Sequence, residues 1–483
     1  IARVKLEKTW TATGGCRDVE AWSRKFCSRV LELQSELASA KEAQKKWALV
    51  PAPKRGEILK RAGDLLVQKK EEIARLMTRE MGKILIETRG DVQEGIDTAY
   101  YMASEGRRLF GDTVPCELMN KFGMSIRCPM GVCAMITPWN FPMAIPTWKI
   151  FPALICGNGI VFKPATDTPA TAVKFVEVLL EAGVPPRLIN LVPGSGRNVG
   201  TSILEHPNVN LVSFTGSTQV GRMIAKKCGE SLKRCSLEMG GKNAQIVMDD
   251  ADLELALEGA LWGAYGTTGQ RCTATSRLIL HKKIADVFTK QFVERASKIR
   301  IGNGLDDKTQ MGPVVNKEQQ DVVAEYVRIG LEEDKADLIL GGRALKEGEY
   351  SKGFFFQPTV FTNVKRTMRI AREEIFGPVV SILTVDNLDE AIDTLNDTEY
   401  GLSSSIYTRD VNNAFKAIRD IQAGITYINV PTIGAEIQLP FGGVKNTGNG
   451  HRESGHAVLD TYSEWKSVYV DYSGRLQRAQ IDD

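Results

Sequence analysis

Cys272 stands in Gly269-Gln-Arg-Cys-Thr273, a polar, glycine-flanked segment after an apolar helix-like run. A structural cysteine usually sits inside an apolar element, as Cys156 does. A free thiol with pKa about 8.5 is a few per cent thiolate at neutral pH and already a strong nucleophile. Glu238 ends a strand-like run in Leu237-Glu-Met-Gly-Gly-Lys242. In an apolar cleft its carboxylate would have a raised pKa and could act as a general base; the alternative is a surface Glu at a strand end. Asn140 lies between the prolines of Thr137-Pro-Trp-Asn-Phe-Pro142. Its amide N–H₂ could stabilise an oxyanion, or serve only a rigid hydrophobic turn. A thiol, a carboxylate and a held amide donor are parts for covalent chemistry at a carbonyl carbon.

Other segments suit a nucleotide. Lys163 follows an apolar strand in Phe162-Lys-Pro-Ala-Thr166, where a cation could meet a ribose or phosphate or simply face solvent. Phe214-Thr-Gly-Ser-Thr-Gln-Val-Gly221 reads as strand, turn and helix. There Gly216 allows close approach and the helix N-terminus favours a pyrophosphate; the alternative is an ordinary capped turn. Gly194-Ser-Gly196 is a weaker version, with Gly200 one residue late for the dinucleotide fingerprint. Glu373-Glu-Ile-Phe-Gly-Pro378 and Leu439-Pro-Phe-Gly-Gly443 read alone as ordered turns.

The elements that must position these side chains alternate in type. Helices are expected at Lys41–Trp47, Arg55–Met81 and Asp91–Phe110, with stops at Gly82 and Gly111. After Gly131, strands at Val132–Ile136, Gly159–Lys163, Leu188–Val192, Leu211–Phe214 and Arg234–Glu238 alternate with helices. A second alternating block has strands at Asn243–Met248, Ser276–Leu280, Val379–Leu383, Ser404–Tyr407 and Gly424–Ile428. The pattern predicts an α/β fold with two doubly wound parallel-sheet domains and a cleft between them.

Composition narrows the chemistry. The chain has 483 residues and a net charge of +3, which gives no bulk reason to expect nucleic acid or an anionic membrane as partner. Nine cysteines form no C-x-x-C pair and four histidines form no H-E-x-x-H. A disulfide framework, a zinc ribbon and a metal centre are therefore not expected, and a reducing compartment, the cytoplasm or an organelle matrix, fits better. Gly131–Phe162 is apolar, but Pro138, Pro142, Pro146, Pro152 and Lys149 interrupt it, against a transmembrane helix. The chain begins with Ile1, so its start carries no targeting information.

Taken together, PWNFP, KPATDTP, FTGSTQVG, LEMGGK, GQRC, EEIFGP and LPFGG, in this order and spacing, resemble the aldehyde dehydrogenase superfamily over about residues 41–475. The resemblance implies that Cys272 is the nucleophile, that Asn140 and the Cys272 backbone N–H form an oxyanion hole, and that Glu238 activates water. It implies cofactor contacts at Lys163, Thr166, Gly216, Ser217, Trp139, Glu374 and Phe376, with Lys163 at the adenosine ribose and Glu374 at the nicotinamide ribose. The cofactor would be NAD or NADP. NAD-preferring members often carry Glu at the position of Thr166, where it repels a 2′-phosphate, so NADP is expected to be accepted.

The resemblance further implies a helical N-terminal part of a cofactor domain (1–113), an oligomerisation arm (114–130, with a late strand near Ser467–Asp471), a dinucleotide-binding core (131–241), a catalytic domain (242–444) and a C-terminal oligomerisation segment (445–483) of a homodimer or homotetramer. The loop Pro431-Thr-Ile-Gly-Ala-Glu436 resembles the α-aminoadipate-semialdehyde branch. Arg271 would then pair with a substrate carboxylate, with Gly434, Ala435 and Phe441 beside it. Ala144-Ile-Pro-Thr-Trp-Lys149 is more similar to bacterial semialdehyde and ketoglutarate-semialdehyde enzymes, and Trp148 stands where succinate-semialdehyde dehydrogenases often place Arg. The usual N-terminal hairpin is missing, and Thr11–Ala40 matches no known pattern. The substrate expected is a small semialdehyde bearing a carboxylate. The alternatives are a general aliphatic aldehyde or glyceraldehyde 3-phosphate oxidised without phosphorylation. A redox-independent thiol acyl-transferase and a non-catalytic structural protein are the rivals from outside this chemistry.

Overall fold

The computed structural model describes residues 30–478 and 480–481; Cys16, Cys27 and the first part of Thr11–Ala40 lie outside them. Three helices come first: α1 Val30–Ala48, α2 Ala52–Met81 and α3 Leu85–Glu105. On α2, Leu59, Ala62, Leu66, Ile73 and Met77 are fully buried, and Gly82 ends the helix at φ 81° with its N–H on Thr78 O. Each large apolar side chain so buried stabilises by about 1.5–3 kcal/mol. Helix α3 begins at Leu85 rather than Asp91 and ends at Glu105 rather than Phe110. Its first turns bury Glu87, Thr88 and Asp91, a polar inner face that a search for apolar periodicity does not register.

A hairpin, β1 Thr113–Val114 with β2 Lys121–Pro129, leads into β3 Val132–Ile136. Next comes α4 Ala144–Ile155, a helix of 12 residues inside the stretch whose prolines argued against a transmembrane one. Pro146 lies in the first turn, where an N–H has no partner to lose. An interior proline such as Pro152 costs about 3 kcal/mol. Burial of Ile150, Phe151, Leu154 and Ile155 outweighs that at about 1.5–3 kcal/mol each.

The alternation continues through β4 Gly159–Lys163, α5 Pro169–Ala182, β5 Ile189–Leu191, α6 Thr201–Glu205, β6 Leu211–Thr215, α7 Thr218–Glu230 and β7 Arg234–Glu238. These strands form a parallel sheet of order β5-β4-β3-β6-β7. The helices α2 to α5 pack on one face, while Leu37, Ala40, Ile203 and Ile224 help cover the other. The order reverses at β3, so β3 and β6 flank the switch point at which α/β sheets bind ligands beyond their carboxyl ends.

The second block contains β8 Ala244–Val247, α8 Leu253–Tyr265, β9 Arg277–His281, α9 Ala285–Ala296, α10 Lys317–Arg328, β10 Asp337–Leu340, β11 Ala344–Leu345, β12 Phe355–Phe356, β13 Thr359–Thr362, α11 Arg369–Arg372, β14 Val379–Val385, α12 Leu388–Asn396, β15 Ser403–Tyr407, α13 Val411–Asp420 and β16 Ile425–Ile428. Its sheet has the order β10-β13-β14-β9-β8-β15-β16, parallel except for β10. The strands β10 to β13 were not expected; runs of two to four residues carry too little periodicity to be read. After α14 Val458–Tyr462, the strand β17 Ser463–Asp471 pairs antiparallel with β2, from Ser463↔Pro129 to Asp471↔Lys121, four residues longer than expected. Residues 447–453 do not join this arm: Gly448 bridges to Glu238 and Glu453 to Phe441. Among the described residues no helix is long and apolar enough to cross a membrane.

Candidate active site

The chemistry-bearing segments of the first block all lie at the carboxyl edge of its sheet. Thr137–Asn140 follows β3, Lys163 ends β4, Gly216-Ser217 follows β6 and Glu238 ends β7. The second block brings two loops to them, Cys272 before β9 and Glu374 before β14. Asn140 Nδ2 donates to Gln270 O at 3.0 Å, the Gly241 N–H donates to Glu374 Oε1 at 3.0 Å, and Trp139 packs edge-on against Phe376 with ring centroids 5.5 Å apart. A Cβ on residue 240 would overlap Glu374 Oε2, so the Gly240 position lets that carboxylate lie against the turn.

Cys272 lines an open cleft of about 690 Å³, with Glu238, Glu94, Trp148, Arg271, Gly434, Ala435 and Phe441 around it. Asn140 is buried; one amide hydrogen goes to Gln270 O and the second is left for another acceptor. A neighbouring hollow of about 320 Å³ is lined by Glu374, Phe376 and Gly241 and shares Arg271 with the cleft.

Burial governs the ionisation of this site. It pushes the Cys272 thiol up to about 12, with Glu374 and Glu238 adding to the rise, while the backbone N–H groups of Cys272 and Thr273 oppose it. Glu238 is raised well above the carboxylate range, first by burial and then by Glu453; Lys149, Arg452 and the Gly443 amide pull the other way. Among the described residues neither Glu238 oxygen has a hydrogen-bond partner. Gly442 lies against it at φ 149°, where a Cβ would come within 2.6 Å of Oε1. The buried Lys149 donates to Glu453 Oε1 at 2.6 Å and to Ser213 Oγ at 3.0 Å, which fixes one acid of the pair and leaves Glu238 unpaired. Burial likewise lifts Glu374 to about 7, against the Gly241 amide and Lys242.

The turn that presents Cys272 is strained. Thr267 and Thr268 adopt φ of 53° and 58°, a region that disfavours β-branched residues by about 1–3 kcal/mol each. The Thr267 N–H donates to Glu87 Oε1 at 2.7 Å, and Arg271 Nη2 reaches the same oxygen at 3.1 Å. Glu87 thus fastens both ends of the turn. Glu87→Ala strands a largely buried guanidinium and an amide, so a loss of about 3–5 kcal/mol in stability is expected, with reduced turnover. Urea unfolding checks this, and a loss under about 1 kcal/mol would remove Glu87 from that role.

Among the expected cofactor residues, Lys163 is buried at the sheet edge, Thr166 and Ser217 are exposed, and Gly216, Trp139, Glu374 and Phe376 are half-buried. Ser217 caps α7, its Oγ accepting from Val220 N. Near this edge Thr137 and Thr168 each keep a buried hydroxyl with no partner among the described residues. The edge, the α7 N-terminus and the half-buried carboxylate fit a dinucleotide. Arg271 is committed further than expected: besides Glu87, it holds Thr267 Oγ1 through Nε at 2.9 Å and lies over Phe141 and Trp262. Gly434 O accepts from Tyr427 Oη. Glu87, Glu94 and Glu453 were missed; Glu87, Asp91 and Glu94 recur at helical spacing, the one signal that could have exposed them. Among the described residues no group of three His, Cys, Asp or Glu could hold a metal ion.

A two-sheet α/β fold with a thiol and an unpaired buried carboxylate in the intervening cleft defines a class of nucleotide-linked enzymes acting at a carbonyl carbon. The chain matches the aldehyde dehydrogenase family model over residues 28–468, and it belongs to that family. It is an NAD(P)-dependent oxidoreductase acting on aldehydes. It is 43% identical to the α-ketoglutaric semialdehyde dehydrogenase of Bacillus subtilis, over 91% of this chain and 90% of the relative. It is 42% identical to a betaine aldehyde dehydrogenase of Mesorhizobium japonicum, over 96% and 94%. The crystal structure of the Staphylococcus aureus betaine aldehyde dehydrogenase in complex with NAD+ superimposes with TM-score 0.89 at 35% identity, over 91% of this chain and 87% of that one.

Proposed function

We propose that the protein oxidises a small aldehyde bearing a carboxylate to the corresponding acid, with NAD or NADP, through a covalent adduct on Cys272. The observation that carries this is the meeting of Cys272, Glu238 and Arg271 in one cleft. Once the Cys272 thiol has released its proton to water in the open cleft, the thiolate attacks the carbonyl carbon, and the oxyanion so formed takes hydrogen bonds from the free Asn140 amide hydrogen and the Cys272 backbone N–H. A nicotinamide dinucleotide bound at the carboxyl edge of the first sheet would supply the hydride acceptor that oxidation of the adduct to a thioester requires. Lys163, Gly216, Ser217 and Thr166 would hold its adenosine and phosphate end, and Glu374, Trp139 and Phe376 the other. Glu238 then takes a proton from the water that attacks the thioester, and Cys272 leaves as thiolate. Thr166, in place of an acid, supports acceptance of NADP.

The substrate carboxylate meets Arg271, whose Nη1 makes no hydrogen bond among the described residues, with Gly434, Ala435 and Phe441 beside it. A quaternary ammonium is the weaker fit, because Lys83 already lies 3.6 Å from the centre of the Phe141 ring and Arg271 shares that ring. One charge-assisted contact is worth about 1.5–3 kcal/mol, so kcat/KM should favour an anionic semialdehyde over a neutral aldehyde of equal length by about 10–100-fold. A panel of anionic, phosphorylated and aliphatic aldehydes, each with NAD and NADP, checks this. Equal kcat/KM for charged and neutral aldehydes would refute the substrate class, and an NADP rate under about a hundredth of the NAD rate would refute dual use.

The division at 131–241 and 242–444 is proposed with these roles, as is a homodimer or homotetramer in a reducing compartment such as the cytoplasm. The arm supports assembly of copies: β17 leaves Trp465, Tyr469 and Val470 exposed, and β16 is an edge strand.

A further inference from the structure

Helix α3 carries three inward carboxylates, Glu87, Asp91 and Glu94, at spacings of four and three residues, and Glu94 lines the cleft. Two are matched. Glu87 pairs with Arg271 at 3.1 Å, and Asp91 pairs with Lys83 at 3.0 Å while accepting from Ala144 N at 2.7 Å. Glu94 is not matched. It is half-buried and lines the same cleft as Cys272 and Arg271, and among the described residues its carboxylate has neither a hydrogen bond nor an ion pair. Lys83 is committed to Asp91 and Arg271 to Glu87, and neither ion-pairs with Glu94, so an ionised Glu94 would stand half-buried without a paired counter-charge.

We propose that Glu94, unpaired in the cleft wall beside Arg271, reads the substrate carboxylate: protonated it donates its O–H to that group, and ionised it turns anionic aldehydes away. This rests on the carboxylate-bearing substrate proposed above.

The surroundings set the direction. Burial lifts the Glu94 carboxyl first, to about 8, with Asp91 adding to it and Asp97 contributing from the same helix. Arg271 from the nucleophile turn and Lys83 from the loop before α3 oppose the rise. The Tyr427 phenol on β16 is raised by burial and then by Glu94, Cys272 and Glu436. A second carboxylate arriving beside a protonated one shares its proton, since two like charges in contact cannot both ionise. Below about 8, therefore, the acid donates and the substrate binds; above it, two anions face each other.

The test is KM against pH for 4-oxobutanoate and for butanal, in the wild type, Glu94→Gln and Glu94→Asp. The ratio of the two KM values cancels titration of Cys272 and Glu238, which both substrates feel. In the wild type the ratio is expected to rise about tenfold per pH unit above about 8, because only the anion is repelled. Glu94→Gln keeps a donor but cannot ionise and should give a flat ratio, while Glu94→Asp should keep the rise. A flat ratio in the wild type, or the same rise in Glu94→Gln, overturns the proposal. The substrate reading is judged separately, by whether wild type prefers 4-oxobutanoate to butanal at neutral pH.

Discussion

Replacing Cys272 with Ala is expected to lower aldehyde oxidation by about 10⁴-fold or more, because the covalent route is lost and only positioning remains. Cofactor affinity, read by nucleotide titration, should survive, since the carboxyl edge of the first sheet lies outside the substituted turn. Ionisation alone does not single out this cysteine. Burial lifts Cys156 to about 12 as well, and Cys133 higher still. Cys133 and Cys156 are enclosed in the apolar core, whereas Cys272 lines the cleft and has two backbone N–H groups that favour its thiolate. A Cys272→Ala protein with more than about one per cent of wild-type activity would require another nucleophile.

Glu238→Gln should separate the two halves of the reaction. A first equivalent of reduced cofactor is expected at near the wild-type rate, followed by steady turnover lower by about 10²–10⁴-fold, the usual worth of a general base. The pH profile gives a second reading of the same group. Glu238 must be ionised to accept a proton from water, and burial with Glu453 nearby keeps it protonated well above the ordinary carboxylate range. Steady-state activity should therefore fall as pH drops through the raised pKa, and this limb should be missing from Glu238→Gln. A variant that turns over at the wild-type steady rate would exclude Glu238 from thioester hydrolysis.

The nucleophile, base and amide donor were legible because their flanks are distinctive: glycines and a polar turn around Cys272, prolines around Asn140, and a Gly-Gly break after Glu238. The parallel strands were legible because five-residue apolar runs such as Val132–Ile136 are buried on both faces. The acids on α3 were not. Glu87, Asp91 and Glu94 look in the sequence like one charged helix face, and only the arrival of Arg271 from 184 positions away turns that face inward. Lys149 was read as an interruption of an apolar stretch; folding buries it against Glu453, 304 residues on, where it becomes the counter-charge of the site. Local spacing can mark such a face but cannot name a partner so far along the chain.

The most direct test is to mix Glu238→Gln with aldehyde and NAD, quench, and locate any added mass by peptide mass spectrometry. One acyl group on the Cys272 peptide, formed in step with one equivalent of reduced cofactor and absent without NAD, is the expected result. Reduced cofactor appearing with no adduct, or with the acyl group on another cysteine, would contradict a mechanism centred on this thiol.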